Sequence, residues 1–140
     1  MKRVKDEVKS VREIPVGAAI NINLDWTKPT MGVDWLEWVK NNYIDFISPM
    51  IYHRDYGQDV SWVFFKAGEI IKTVEGVNPQ VIIIVSVGGS LANTGKMSGS
   101  EWIECVERAA AAGSKTVFIF ADVCIEEAKA WDSIEKMRKE

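Results

Sequence analysis

The sequence predicts an α/β domain in which four strand-then-helix units follow one another along residues 1–140. Short apolar segments recur, helical patterns separate them, and successive segments start about 30 to 36 residues apart, the length of one βα unit. The predicted strands cover residues 16–25, 45–53, 81–88 and 116–122. Such alternation implies a parallel sheet with right-handed crossovers.

Two architectures fit this order: half of a (β/α)₈ barrel, or a small open doubly wound parallel sheet. A complete barrel has eight units and usually takes ~250 residues, whereas this chain has 140. Central strands of a doubly wound sheet are apolar on both faces, as residues 81–87 are. The first strand alternates instead, with Asn21, Asn23 and Asp25 on one face. In a barrel that polar face meets the lumen. The other lumen-facing candidates are Ser48, Met50, Tyr52, Ser86, Gly88, Phe118, Phe120 and Asp122.

Start and stop signals define five predicted helices and one loop. The helices cover residues 2–13, 34–41, 59–75, 98–112 and 126–139, and residues 27–32 are predicted to form a loop. Pro15 stops the first helix. Asp34 and Asp59 are predicted N-caps, and Ser98 with Glu101 has the spacing of a capping box.

Composition restricts the class of protein. With 47% hydrophobic and 26% charged residues, the chain has the composition of a folded single domain. A net charge of −3 gives no basic surface for nucleic acid or an anionic membrane. The longest apolar run is too short to span a bilayer. Cys105 and Cys124 have no CxxC spacing and are predicted to be reduced core thiols. We therefore expect a cytoplasmic protein with no metal and no cofactor.

Polar side chains gather where the predicted strands end, the edge at which barrel enzymes keep their sites. Asp25 and Trp26 combine a carboxylate with an indole, which suits a sugar. After the second strand, His53 is a candidate acid or base near neutral pH, Arg54 can hold an anion, and Asp55 is a candidate acid or base. The candidate ligand-binding residues are Asn23, Asp25, Trp26, Tyr52, His53, Arg54 and Ser86, and the candidate catalytic carboxylates are Asp25, Asp55 and Asp122.

The segment 88–100 is rich in glycine and serine and precedes a predicted helix. Backbone amides before a helix attract anions, so Gly88, Gly89 and Ser90 are candidates for binding a phosphate group. A plain connecting loop explains the same composition, since neither a GxGxxG nor a Walker pattern is present.

Residues 33–52 contain DWLEWV followed by YIDFISPMIY. This pair of segments resembles a short helix and the sixth strand of glycoside-hydrolase-like TIM barrels, whose strand reads hydrophobic-Asp-hydrophobic-hydrophobic-x-Pro-Met-x-Tyr. On that resemblance the chain corresponds to strands five to eight of a barrel, which implies a half-barrel unit and carbohydrate as its ligand.

The same resemblance implies an incomplete catalytic set. In the large retaining clan of these barrels, carboxylates lie at the ends of strands four and seven. Strand four has no counterpart here, and the strand matching the seventh ends in Ser86, Val87 and Gly88 without a carboxylate. Retaining hydrolysis needs two carboxyl groups ~5–5.5 Å apart. We therefore expect negligible glycosidase turnover from this chain alone.

A half-barrel leaves strand edges open, and open edges pair with other chains. We expect a homo-oligomer, or a complex with a partner half-barrel. Two alternatives remain: a small α/β protein that binds a phosphate ligand through residues 88–100, and a structural, self-assembling unit with no small-molecule activity.

Overall fold

The computed structural model describes residues 1–89, 97–120, 125, 131–132 and 135, and these form a mixed α/β structure. The helices are α1 (Lys2–Val11), α2 (Leu24–Met31), α3 (Trp35–Lys40), α4 (Ser61–Val77) and α5 (Gly99–Ala111). The strands are β1 (Gly17–Ile20), β2 (Phe46–Pro49), β3 (Ile82–Ile83), β4 (Val85–Gly88) and β5 (Val117–Phe120), and a 3₁₀ turn spans His53–Tyr56.

The strands form two small parallel sheets, β1-β2-β3 and β4-β5. Only Ile84 separates β3 from β4, and a parallel bridge between Met50 and Ser86 links the two sheets.

Each of the four predicted strand segments contains strand residues, so the α/β class with parallel strands is confirmed. No closed barrel exists within the described part of the chain. The fifth predicted helix, over residues 126–139, lies outside the described residues except at Trp131, Asp132 and Glu135.

The prediction for the first strand and the loop after it is wrong. β1 ends at Ile20, and Leu24–Met31 is a helix where strand to Asp25 and then a loop were expected. Asn23 explains the difference, because its Oδ1 accepts a hydrogen bond from the Trp26 amide at 3.1 Å. Gly32 then ends the helix in the left-handed conformation. A cap at each end outweighs the polar–apolar alternation that suggested a strand.

The N-caps of the later helices agree better with the prediction from the sequence. Asp34 and Ser98 each accept a hydrogen bond from the amide three residues later, as predicted. Asp59 lies one residue before the N-cap of α4, although its carboxylate accepts the Ser61 amide at 2.8 Å. α4 continues through Gly76 to Val77, so its predicted end was two residues early.

One face of the strands packs beneath α4 and α5 and forms the core. Ile47, Val85 and Val87 are fully buried on this face, as is Trp102 of α5. Each such side chain contributes about 1.5–3 kcal/mol through burial.

The amino-terminal edge of the sheet is tightly packed as well. Gly17 is the strand partner of Phe46, whose ring occupies the space that a side chain at position 17 would need.

The opposite face of the strands, here called the open face, carries Ala19, Met50, Tyr52, Ile82, Phe118 and Phe120. Register and alternation place these residues together, because paired residues in a parallel sheet point to the same side. Ile82 is 61% exposed, Phe118 48% and Phe120 53%. Most of the predicted lumen-facing residues do share this face: Ser48, Met50, Tyr52, Ser86, Phe118 and Phe120. Its exposed surface is mainly apolar.

Asp45, at the start of β2, joins α1 to the sheet. Its carboxylate pairs with Lys5 at 2.7 Å and Lys9 at 3.7 Å, and accepts the Val16 amide at 2.8 Å. Burial on its own would raise the pKa of Asp45, but the hydrogen bonds from Lys5 and Val16, with the nearby lysine charges, lower it overall. No residue of α1 is buried, so these ion pairs carry much of its attachment.

Asp45→Asn should lower the free energy of unfolding by about 1–3 kcal/mol at pH 7. Because the folded pKa is lowered, the stabilisation is fully present above the unfolded value of ~3.9 and is lost as the pH falls through the folded pKa. Urea midpoints at pH 7, 5 and 3 should therefore converge for the two proteins at acid pH. Asp6→Asn, which breaks an exposed pair with Lys2, is the control and should change stability by less than about 0.5 kcal/mol.

Gly88→Ala should destabilise the protein by about 3 kcal/mol or more. A Cβ at this position would lie 1.6 Å from the Phe120 carbonyl oxygen, and the φ of +131° disfavours any side chain. Gly68→Ala is the matched control, because a Cβ there meets nothing within 4 Å and alanine favours the helix by ~0.5–1 kcal/mol. Equal urea midpoints for the two variants would contradict the packing described for Gly88.

Candidate functional site

His53, Arg54 and Glu101 form the most highly connected polar cluster in the described part of the chain. Arg54 donates from Nε and Nη2 to the two Glu101 oxygens at 2.7 and 2.6 Å. His53 Nε2 lies 3.0 Å from Glu101 Oε1. The first two residues stand in the 3₁₀ turn after β2, and Glu101 stands in the first turn of α5. The cluster therefore ties a strand-end turn to the start of a helix.

The electrostatics of the cluster favour a fixed ion pair. Hydrogen bonds from Arg54 lower the pKa of Glu101, despite partial burial that works to raise it. The same contact raises the pKa of Arg54. Both groups stay charged across the neutral range, so Glu101 is an anchor and not a proton donor at neutral pH.

Cys105 lies beside this cluster, and the series Cys105, His53, Glu101 resembles a catalytic triad of nucleophile, base and carboxylate. Its Sγ lies 3.7 Å from Nδ1 of His53, whose other nitrogen faces Glu101. A nucleophilic cysteine needs to be a thiolate with access to substrate. Cys105 is fully buried, and burial raises its pKa to about 12. His53 is only 2% exposed. The arrangement therefore stabilises the fold, and in this state it offers no reactive sulfur.

Tyr52 and Ser86, two of the predicted ligand-binding residues, meet on the open face. The Tyr52 hydroxyl lies 3.4 Å from the Ser86 hydroxyl. The Tyr52 ring stacks on Phe120, with centroids 6.0 Å apart and planes 11° apart. This group of hydroxyls and rings, here called the strand-end patch, lies at the carboxyl ends of neighbouring strands.

Asn23 and Asp25 lie elsewhere, in a cleft of about 450 Å³ at the carboxyl end of β1. Trp35 of α3, Tyr56 of the 3₁₀ turn and Trp62 of α4 also line this cleft. Ile22 and Ile70, which belong to the core cluster, form part of its wall, so the cleft lies on the helix-covered side of the sheet. We call it the helix-side cleft.

The remaining candidates do not line the helix-side cleft, and Gly89 reaches the strand-end patch through its backbone. Trp26 is about half exposed on α2 and does not line the helix-side cleft. Asp55 is exposed in the 3₁₀ turn. The Gly89 amide donates to the Phe120 carbonyl at 3.2 Å, which occupies one of the amides expected to bind an anion. Ser90 and Asp122 lie outside the described residues.

Sequence reasoning missed two residues that shape these places, Trp62 and Glu101. Glu101 was identified only as part of a helix cap, because its partner Arg54 is distant in the sequence and only the folded chain brings them together. Tyr56 and Trp62 pack with ring centroids 5.3 Å apart. Their spacing across a turn gave no periodic signal that could have paired them.

The described residues were searched for metal sites and membrane-spanning helices, and the chain was compared with known proteins. Among the residues described, no group of three or more His, Cys, Asp or Glu side chains could hold a metal ion. None of the described helices is long and apolar enough to cross a membrane. No family model, curated protein or solved structure matches the chain.

Glu101→Gln should lower the free energy of unfolding by about 2–3 kcal/mol, because the change leaves Arg54 without its charged partner. Glu104→Gln on the same helix is the control. It removes an exposed pair with Arg108 at 2.9 Å and should cost less than about 0.5 kcal/mol. Urea unfolding followed by circular dichroism at pH 7 measures both. A larger loss for Glu104→Gln would contradict the structural role of the cluster.

Proposed function

We propose that this chain is a half-barrel unit related to glycoside-hydrolase-like barrels, which is completed by a second copy and is catalytically incomplete alone. The observation that best supports this proposal is the strand order. Within the described residues, parallel strands follow chain order, β1 pairs only with β2, and β5 pairs only with β4. One face of these strands lies under helices and the open face does not, as expected of a segment cut from a barrel wall.

The two outer strands support pairing with another chain. Soluble proteins usually protect exposed strand edges with charged residues, proline or bulges. β1 reads Gly-Ala-Ala-Ile and β5 reads Val-Phe-Ile-Phe, with no charge and no proline. A two-fold axis along the strands would bring β5 of one copy beside β1 of the other in parallel. Such a dimer would enclose the apolar open face of both copies.

Carbohydrate is the ligand class we propose for the completed mouth. The strand-end patch offers the hydroxyls of Tyr52 and Ser86 beside stacked aromatic rings, and sugars combine hydroxyls with an apolar ring face. Glycoside hydrolysis requires a pair of carboxyl groups, and β4 ends in Gly88 without one. We accordingly expect the hydrolysis of aryl glycosides to remain at the blank rate.

The phosphate-binding alternative has less support. It depends on backbone amides of residues 88–100, and the Gly89 amide already donates to Phe120. A purely structural unit differs from our proposal only in lacking a ligand at the mouth. The open face supports assembly under either interpretation.

Light scattering after size-exclusion chromatography should give a mass twice the 15.7 kDa of one chain at high micromolar concentration. Phe118→Ser should shift the protein toward monomer, because it removes an apolar side chain from the open face. Phe65→Ser is the matched control, since Phe65 is 67% exposed but lies on α4. A monodisperse wild-type monomer would refute the half-barrel proposal, and equal effects of the two changes would refute the proposed interface.

A further inference from the structure

We propose that two copies of the chain join through one defined strand pairing, in which Phe118 of one copy lies beside the partner's Gly17 and Phe120 beside the partner's Ala19. This contact between β5 of one copy and β1 of the other is called the seam, and a two-fold axis produces it twice. The seam deepens the half-barrel proposal and rests on it, because it names the residues through which the second copy completes the barrel.

The outer edge of β1 has backbone groups that point away from the sheet. Within the described residues, β1 pairs only with β2, and the Ile20 carbonyl accepts a hydrogen bond from the Met50 amide at 3.0 Å. Backbone groups of successive residues in a strand point to opposite sides. Since Ile20 faces β2, the amides and carbonyls of Gly17 and Ala19 face outward, where a neighbouring strand can satisfy them.

The outer edge of β5 is equivalent. The Phe120 carbonyl accepts a hydrogen bond from the Gly89 amide at 3.2 Å, so the backbone groups of Phe120 point toward β4. Those of Val117 and Ile119 therefore point outward, and no described strand pairs with them. Each copy thus has one edge with free donors and acceptors at either end of its strand order.

Closure of a barrel fixes the register between these two edges. The strand partners form a line from Gly17 through Phe46 to Ile82, and the β4–β5 register extends that line to Ser114. Closed (β/α)₈ barrels have a shear of about eight residues, so each of two identical halves contributes about four. Right-handed twist and right-handed crossovers displace the line toward the amino terminus as it passes around the barrel. Ser114 therefore lies level with the partner's Glu13.

The same offset, followed along both strands, places Phe118 beside the partner's Gly17 and Phe120 beside the partner's Ala19. All of these residues lie on the open face of their own copy, as paired residues in a sheet must. In this register β5 overlaps most of β1. A displacement in the opposite direction would place β5 beyond the carboxyl end of β1, so only one direction of shear joins the two strands.

The backbone groups agree with this register. In a parallel pair, a residue donates to one neighbour of its partner and accepts from the other. The Gly17 amide then meets the Val117 carbonyl of the other copy, and the Ile119 amide meets the Gly17 carbonyl. Every group in these contacts is one that points outward in a single copy.

The side chains on the two edges also differ in size in a complementary way. Ala19 is small and exposed, whereas Phe118 and Phe120 are each about half exposed. Within one copy, the Phe46 ring already lies over Gly17. The seam repeats this pattern between copies, with Phe120 over the partner's Ala19 and Phe118 against the partner's Phe46.

Ala19→Pro tests the backbone part of the seam. Proline removes the outward amide and places its ring where the partner strand would lie, but it leaves the hydrogen bonds between β1 and β2 in place. Light scattering should give the 15.7 kDa of a single chain, with the circular dichroism spectrum retained. Ala19→Ser keeps the amide and is the control, which should remain a dimer.

Cysteine pairs test the register itself. Ala19→Cys and Phe120→Cys are made separately in a Cys124→Ser background, where the remaining native thiol, Cys105, is fully buried. After the two variants exchange subunits, oxidation with copper phenanthroline should give a disulfide-linked dimer, because paired Cα atoms lie ~4.8 Å apart. Either variant alone should give none, since the two-fold axis places its two cysteines on different seams.

A mixture of Ala19→Cys with Phe118→Cys is the register control. These positions are out of register by two residues, so their Cα atoms are more than ~7 Å apart, too far for a disulfide. Light scattering first establishes that both mixtures contain dimers. Stronger cross-linking of position 19 with position 118 than with position 120 would overturn the register.

Failure of the seam and failure of the half-barrel proposal give different results. A wild-type chain that remains monomeric at high micromolar concentration contradicts both. A wild-type dimer that survives Ala19→Pro, or that forms no disulfide between positions 19 and 120, contradicts the seam alone and points to copies packed through their open faces. If Ala19→Pro does not fold, the cross-linking result decides.

Discussion

The start of the sheet depends on Asp45. Its main-chain amide donates to Val16, its carbonyl accepts from Ile82, and its carboxylate reaches Lys5 and the Val16 amide. One residue therefore connects β1, β2 and β3 with the helix that precedes them. A partly buried carboxylate with several donors is most stable when ionised, and this charge fixes where three strands begin.

The residues with the most suggestive chemistry are used to build the fold. His53, Arg54 and Glu101 would be obvious candidates for catalysis if they lay at an accessible mouth. Here the arginine neutralises the carboxylate, and the histidine is enclosed between that carboxylate and a buried thiol. An interior network of this kind stabilises the fold only if its groups are satisfied. The residues of the proposed carbohydrate mouth are less conspicuous: the hydroxyls of Tyr52 and Ser86 and the ring of Phe120.

The sequence was sufficient to locate the strand segments, but it gave neither the end of the first strand nor the contacts between distant segments. Each predicted strand segment contains strand residues, and three of the four segments have the β-branched and aromatic residues between turn signals that are typical of strands. The first strand was drawn too long because alternation of polar and apolar residues also fits a capped helix start, and only the Asn23 cap distinguishes them. The clustering of Asn23 and Asp25 with Tyr56 and Trp62 could not be predicted, since it arises from the way α3 and α4 pack.

The contact between Gly17 and Phe46 has a consequence for how this sequence can diverge. The two residues are partners in the sheet, and the phenyl ring fills the volume above the glycine. A larger residue at position 17 is tolerable only with a smaller one at position 46, so neither site can drift independently. Among diverged descendants of this chain, the two positions should covary as a small–large pair. That covariation would identify the register of the two strands even where the rest of the sequence has changed.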